Sequence, residues 1–407
     1  MTSSDDSAEM FRQRGHFLEI LGAFAWLGIV AFGGPVAHLG YFREEFVKRR
    51  RWISDAGYAD LVALAQMLPG PASSQVGFSL GVLRGGGLVG GLAAWLGFTL
   101  PSALVLIAFA AGTASFVEPW QIGLLHGFRL VAVAIVAHAI WGMIRSLAWD
   151  RRLIAIALAA LVLTLALEGG WSQILVIAMG ALAGFLLMPR DEALSAFQAP
   201  VPVSRRAGAV SLALFAVLLA GLPVLSASTG WHGLQLFDGF YRSGALVFGG
   251  GHVVLPLLHD VAVTPGWVGD RDFVTGYGVT QAMPGPVFTF AAYLGATAQP
   301  SPNGLAGGLI ALVAIFLPGL LVMHGVLPFW SGLRRLAGMR AAMRGVNAAV
   351  IGLLAAAFYQ PLWTSTIAGA DDVLVAVAGF ALLTMWRKPA WLVVIALGAA
   401  GILRALL

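Results

Sequence analysis

The sequence predicts an all-α integral membrane protein made of two inverted-topology repeats. Three observations predict it: an apolar composition, a set of motifs that occurs twice, and the placement of the basic residues. Hydrophobic residues make up 59% of the 407 and charged ones 11%, whereas soluble domains run at about 25% charged. Phe32-Gly33-Gly34 returns as Phe248-Gly249-Gly250, and Gln66-Met67-Leu68-Pro69-Gly70-Pro71 returns as Gln281-Ala282-Met283-Pro284-Gly285-Pro286, each about 215 residues later. Trp52 and Asp55 find Trp267 and Asp270, Gly90-Gly91 and Pro101 find Gly307-Gly308 and Pro318, and Trp171 finds Trp391. In so apolar a chain, matched Gly/Pro breaks in two halves point to a transporter whose site lies where the repeats meet.

The elements follow in order. Residues 1–15 are polar and mixed in charge, without the basic flank and cleavage site of a signal peptide, so the whole chain reads as mature. The first apolar stretch, Phe17 to Phe32, stops at Gly33-Gly34 before Pro35, short of the roughly 20 residues that span hydrocarbon. Tyr58 to Leu68 is broken by Pro69-Gly70-Pro71 and resumes from Ala72 to Leu83, giving two half-helices. Four long runs follow: Gly87 to Gly112, Gln121 to Leu147, Leu153 to Leu167 and Ser172 to Met188. A single extra helix, Ala209 to Ser228, precedes the second half, which ends with runs such as Leu305 to Leu327 and Leu392 to Leu407. The organisation is thus a first repeat over 1–188, a cytoplasmic linker plus connecting helix over 189–230, and a second repeat over 231–407.

The net charge of +5 raises nucleic acid as a partner, but placement assigns it to membrane topology instead. All but four of the 24 Lys and Arg fall in clusters at Arg12/Arg14, Arg43 with Lys48 to Arg51, Arg84, Arg145/Arg151/Arg152, Arg190/Arg205/Arg206, Arg334 to Arg344, and Arg387/Lys388. The loops around Glu118, Glu168, Gly230, Asn303 and Asp371/Asp372 have none and are expected outside. Segments 17–51 and 54–84 then read as hairpins that enter from the cytoplasm and return. The alternative, full crossings broken by Gly and Pro, would strand Arg43 and Lys48 to Arg51 outside. Threading the chain gives oppositely inserted halves, with the N-terminus in and the C-terminus out. The run Lys48 to Arg51 reads as a topology anchor facing anionic membrane lipid.

Irregular backbone survives in a bilayer only against protein or a water-filled cavity, so the breaks are expected to line the pathway. Proline suits the first helical position, so Pro35, Pro71 and Pro286 are expected to begin new helices. Helix N-termini carry about +0.5 charge and free N–H donors and so hold anions without a basic side chain. The candidate substrate-binding residues are Gly33, Gly34, Pro35, His38, Gln66, Pro69, Gly70, Pro71, Ser73, Ser74 and Gln75 in the first half. In the second half they are Gly249, Gly250, Gly251, His252, Gln281, Pro284, Gly285, Pro286 and Thr289. Such a set suits a small oxyanion. The other reading is that Gly and Pro merely let membrane helices pack closely.

Titratable groups inside apolar segments are functional candidates. His38 and His252 follow the first break of each half and are candidates for a coupling proton. Glu19 is a further proton-carrier candidate. Arg129 either attracts a dianion or snorkels to the interface. Asp238 and Arg242, four apart, have the spacing of a helical ion pair. Arg271 and Arg404 are expected to lie outside the site.

No cysteine is present, which excludes disulfides and thiolate chemistry. Neither lysine sits in a G-x-x-x-x-G-K-[ST] loop, H-E-x-x-H is missing, and no G-x-S-x-G nucleophile elbow is expected. No carboxylate cluster has metal-ligand spacing. Neither an enzyme, a cofactor nor a metal is expected.

At its breaks the chain resembles the chromate ion transporter family. The resemblance rests on Phe32-Gly33-Gly34-Pro35-Val36-Ala37-His38, Leu68-Pro69-Gly70-Pro71-Ala72-Ser73-Ser74-Gln75, Phe248-Gly249-Gly250-Gly251-His252 and Gln281 to Pro286. It implies a multi-pass protein of the bacterial inner (plasma) membrane that exports chromate, a tetrahedral dianion, by means of ion gradients. It also implies that half-length members work as pairs; a homo-oligomer remains open. Three alternatives stay open: a carrier of sulfate or another oxyanion, a passive anion channel, and the membrane subunit of an ATP-driven importer.

Overall fold

The computed structural model describes residues 15–113, 118–146, 150–167, 171–189, 201–248, 253–330 and 337–406. Among them every regular element is helical and none is a strand. The first half contains α1 (Phe17–Val30), α2 (Gly34–Phe42, prolonged by a π-helical stretch Arg43–Arg49), α3 (Asp55–Met67), α4 (Ala72–Gly85), α5 (Leu88–Thr113), α6 (Pro119–Ser146), α7 (Arg151–Ala166) and α8 (Trp171–Leu187). After α9 (Arg205–Thr229) the series repeats as α10 (His232–Leu246), α11 (Val254–Ala262), α12 (Asp270–Thr280), α13 (Phe290–Thr297, entered through a 3₁₀ turn at Val287–Thr289), α14 (Gly304–Val326), α15 (Ala337–Ala357), α16 (Ala370–Thr384) and α17 (Ala390–Leu406).

Among the described residues five spans, Leu88–Gly112, Pro119–Arg145, Arg205–Thr229, Gly304–Phe329 and Arg340–Thr366, are long and apolar enough to cross a membrane. Large apolar side chains such as Trp26, Val162, Leu186, Val217 and Leu374 are exposed on the outer surface, as lipid contact requires. By contrast α1, with 14 residues, reaches only about 21 Å at 1.5 Å per residue.

Local chemistry sets the ends. Ser54, Asp150 and Ser204 cap α3, α7 and α9, their side-chain oxygens accepting from the N–H of Gly57, Arg152 and Ala207. Gly230 closes α9 in the left-handed region. Pro35 lies in the first turn of α2, as expected. Pro71 and Pro286 differ: each is the residue before its helical turn, extended at ψ 97° and 133°. The Pro-Gly-Pro backbone must first reverse direction, so its last proline ends the turn instead of starting the helix.

The ends of the broken segments meet. Gly15 N–H donates to the Arg84 carbonyl (2.9 Å), Arg84 pairs with Glu19 (3.1 Å), and the Arg50 and Arg84 guanidiniums lie over Trp52 at 5.5 and 5.4 Å. The start of α1, the α2–α3 loop and the end of α4 therefore share one end of the molecule. The second half repeats this. His232 packs edge-on to Trp267 (4.8 Å between ring centres), whose carbonyl accepts from Gln299 N–H (2.9 Å). In each half the outer ends of the broken segments thus lie close together.

The long helices are exchanged between halves: α6 packs on α16 and α17, while α15 packs on α7 and α8. Small residues allow the close approach. A Cβ on Gly123 would overlap the Gly401 carbonyl, and one on Gly345 would overlap that of Gly180.

A buried charge network fastens one of these seams. Asp372, fully buried, accepts from His126 Nε2 (2.8 Å), from Ala368 N–H (2.9 Å) and from Arg404. Arg404 therefore has a structural partner. Since about half of Arg404 stays exposed, Arg404→Ala should cost about 2 to 3 kcal/mol, below the full penalty for stranding a buried charge. Thermal unfolding of the detergent-purified protein checks this, with the exposed Arg271→Ala expected to leave the midpoint in place.

Candidate functional site

The four breaks meet in two reciprocal pairs. Gly70 N–H donates to the Val247 carbonyl at the end of α10 (2.8 Å), and Gly285 N–H donates to the Ala31 carbonyl at the end of α1 (2.9 Å). Each Pro-Gly-Pro loop thus satisfies the frayed end of the other half's first helix. Both glycines have positive φ, +120° and +90°, where an L residue is strained. Each loop also lies against the other half's proline-containing long helix. A Cβ on Gly70 would stand 2.8 Å from Gly319 Cα, and one on Gly285 3.0 Å from the Phe98 carbonyl and Ser102 Oγ. The reciprocity is that of a pseudo-two-fold contact.

Around these crossings lie buried polar groups. Gln75 Nε2 donates to the Pro69 carbonyl (2.7 Å) and across the halves to the Gly319 carbonyl (3.0 Å). His38 is fully buried against Phe98 (5.2 Å between ring centres), with Nδ1 3.5 Å from Ser73 Oγ. His38 Nε2, Ser74 Oγ, Gln75 Oε1, Thr99 Oγ1 and Gln281 Nε2 are buried without a hydrogen-bond partner. Buried polar atoms seldom go unpaired, and these five lie at or beside the crossings. Thr289 is satisfied locally, its hydroxyl donating to the Pro286 carbonyl (2.8 Å).

A cavity of about 460 Å³ reaches this region from one end. Gly33, Gly34, Gln281 and Gly285 line it together with Arg145, Arg387 and Lys388, and among the described residues no acidic side chain does. Arg145 lies over the Trp141 ring at 4.8 Å, and His138 Nδ1 is 2.9 Å from Thr384 Oγ1. In the sequence Arg145, Arg387 and Lys388 belong to the basic clusters that set topology, and nothing there marks His138. Nothing local announces that α6 and the α16–α17 loop, about 240 residues apart, face one cavity.

Other candidates lie elsewhere. Gln66 is exposed at the end of α3. Glu19 is held by Arg84, and Arg129 Nη2 contacts His126 Nδ1 (3.2 Å) beside the Asp372 network. Asp238 and Arg242 form a bidentate pair (3.0 and 2.9 Å) on α10, in a different cavity. Gly249, Gly250, Gly251 and His252 lie outside the described residues.

One catalytic pattern does occur. Gly77-Phe78-Ser79-Leu80-Gly81 spells G-x-S-x-G, the nucleophile-elbow signature, which needs a strand-to-helix turn. Here it lies inside the continuous α4, and Ser79 Oγ is buried and donates to the Gln75 carbonyl (2.8 Å). The pattern is helix packing.

The chromate transporter family model matches residues 18–185 and again 234–402, one match on each half. This chain belongs to the chromate transporter family. It is 30% identical to a chromate transport protein of Cupriavidus metallidurans over 90% of this chain and 87% of the relative. Identity is 28% to a chromate transport protein of Pseudomonas aeruginosa, over 98% and 94%. An uncharacterized transporter of Methanocaldococcus jannaschii is 27% identical over 87% and 86%. No solved structure matches. The doubled match and the long apolar helices make the chain a multi-pass membrane protein of a transporter family.

Proposed function

We propose that this chain is a secondary active transporter that exports chromate across the bacterial inner membrane, using an ion gradient. The observation that carries the reading is the basic cavity whose floor is made of breaks from both halves. Three fixed positive charges at its mouth concentrate a dianion. Gly33-Gly34 at the start of α2 and the Gln281 amide offer donors that need no reorganisation when the anion arrives. The oxyanion then sits at the crossed half-helix ends, and rocking of one half against the other alternates access.

Counting crossings supports opposite insertion of the halves. From the end marked by Arg84, α5 to α8 cross four times and α9 a fifth, so α10 begins at the far end. The basic clusters gather at the starting end, which makes it cytoplasmic, with the N-terminus in and the C-terminus out. The cavity mouth, with Arg145, Arg387 and Lys388, then opens inward, as loading for export requires.

Gln281→Leu is expected to raise the KM for chromate about tenfold, the loss of one hydrogen bond to a charged ligand. Its repeat mate Gln66, outside the inward cavity, should affect turnover but not inward-side KM. Kinetics of radiolabelled uptake into inside-out vesicles separate the two. The same vesicles test the function. Saturable uptake that depends on a proton gradient is the expected result, and the degree of sulfate competition reports selectivity among oxyanions. Linear flux indifferent to any gradient would sink the carrier reading in favour of a channel.

A further inference from the structure

A second cavity, of about 530 Å³, lies between α8, α9, α10 and α11. It differs from the first in the sign of its charge. Asp238 and Arg242 cancel each other through their two hydrogen bonds (3.0 and 2.9 Å). Asp260 on α11 remains, with no basic side chain paired to it among the described residues. Its Oδ2 accepts from Gln173 Nε2 (2.8 Å), which also donates to the Pro256 carbonyl (3.2 Å). His259, next to it, is turned to Asp270 (2.9 Å). Gln173 is 5% exposed, and its Oε1 is buried without a partner. The Ser226 and Ser243 hydroxyls complete an oxygen-rich lining.

A cavity with one uncancelled carboxylate and an unpaired amide oxygen repels an oxyanion and suits a small cation. We infer that Asp260 and Gln173 form the binding site for the cation that drives transport, a proton or Na⁺, separate from the oxyanion site. The inference rests on the secondary-transport reading above. Gln173 belongs to the first half and Asp260 to the second, so the state of this site acts on the contact between halves. A cation that binds one arrangement of α8 and α11 better than another shifts the halves toward that arrangement, which is how two ligands become coupled. The Gln173 amide can serve either form of Asp260. Its N–H faces the carboxylate, and rotation of the amide presents Oε1 to a protonated carboxyl or to Na⁺.

The test uses the full chain in proteoliposomes, with chromate flux measured under a proton gradient, under a Na⁺ gradient and under neither. Chromate affinity is measured separately at equilibrium. The wild type should be stimulated by one of the two gradients, which names the ion. Asp260→Asn should lose that stimulation while its chromate affinity stays within about twofold of wild type, a change of about 0.4 kcal/mol. Asp260→Glu should recover most of the stimulation. Full stimulation in Asp260→Asn would overturn the inference, as would loss of chromate affinity in that variant. If neither gradient stimulates the wild type, the secondary-transport reading fails. The site is then judged by ²²Na⁺ binding and proton uptake of the purified protein. A difference between wild type and Asp260→Asn upholds the site, and no difference overturns it.

Discussion

Gly70→Val and Gly285→Val should each cut chromate flux by more than about a hundredfold, equivalent to about 3 kcal/mol lost at the crossing. Two effects add. At φ of +120° and +90° a side chain strains the backbone by about 1 to 2 kcal/mol, and a β-branched one fares worse. The new Cβ must also displace its neighbours. At Gly70 these are Gly319 Cα at 2.8 Å and Gln75 Nε2 at 2.9 Å, the amide that ties the loop to the other half. At Gly285 they are Phe98 and Ser102 on α5. Either shift breaks one of the two reciprocal hydrogen bonds on which the halves meet. Gly34→Ala separates strain from crowding. Its φ is +77° but nothing lies within 4 Å of its would-be Cβ, so only strain acts and flux should fall about tenfold. Flux is normalised to the amount of protein in the membrane. Near-wild-type flux in Gly70→Val would remove the crossing from the mechanism.

The second large effect concerns the cavity mouth. The double variant Arg145→Gln with Arg387→Gln should lower flux at subsaturating chromate by about tenfold to a hundredfold, the range over which a focused field raises local anion concentration. Both side chains are exposed, so the effect should be steep at low ionic strength and shrink as salt shortens the screening length to about 8 Å near physiological strength. Flux at saturating chromate should change far less, because the charges gather substrate instead of holding it through turnover. Arg151→Gln, exposed at the start of α7 and outside the cavity lining, is the control. A double variant with unchanged KM and salt dependence would move the entry route elsewhere.

The residues of the site were legible to different degrees. Gly70 and Gly285 could be found because a Pro-Gly-Pro inside an apolar run forces a break, and two matched breaks announce a repeat. Gln281 stood out by its place beside the break. Its repeat mate Gln66 stands in the matching motif yet is exposed, because the two halves do not hold their broken segments alike: α12 packs along α6, whereas α15 takes up α11. Arg145, Arg387 and Lys388 were visible as charges but not as a cavity mouth, and Asp260 and Gln173 carried no local signal. Nothing near Arg404 in the sequence pointed to its pairing with the buried Asp372.

By itself the sequence determined the membrane class, the duplication and the positions of the breaks. All of these are written in short windows: hydropathy over one span, the missing N–H of proline, the freedom of glycine at positive φ, and the cost of moving arginine across a bilayer. Only the tertiary structure decided which break touches which, that α6 and α15 are exchanged between the halves, and that distant charges face two cavities of opposite sign. Those outcomes depend on through-space packing and electrostatics between segments hundreds of residues apart, and no local window of the chain encodes them.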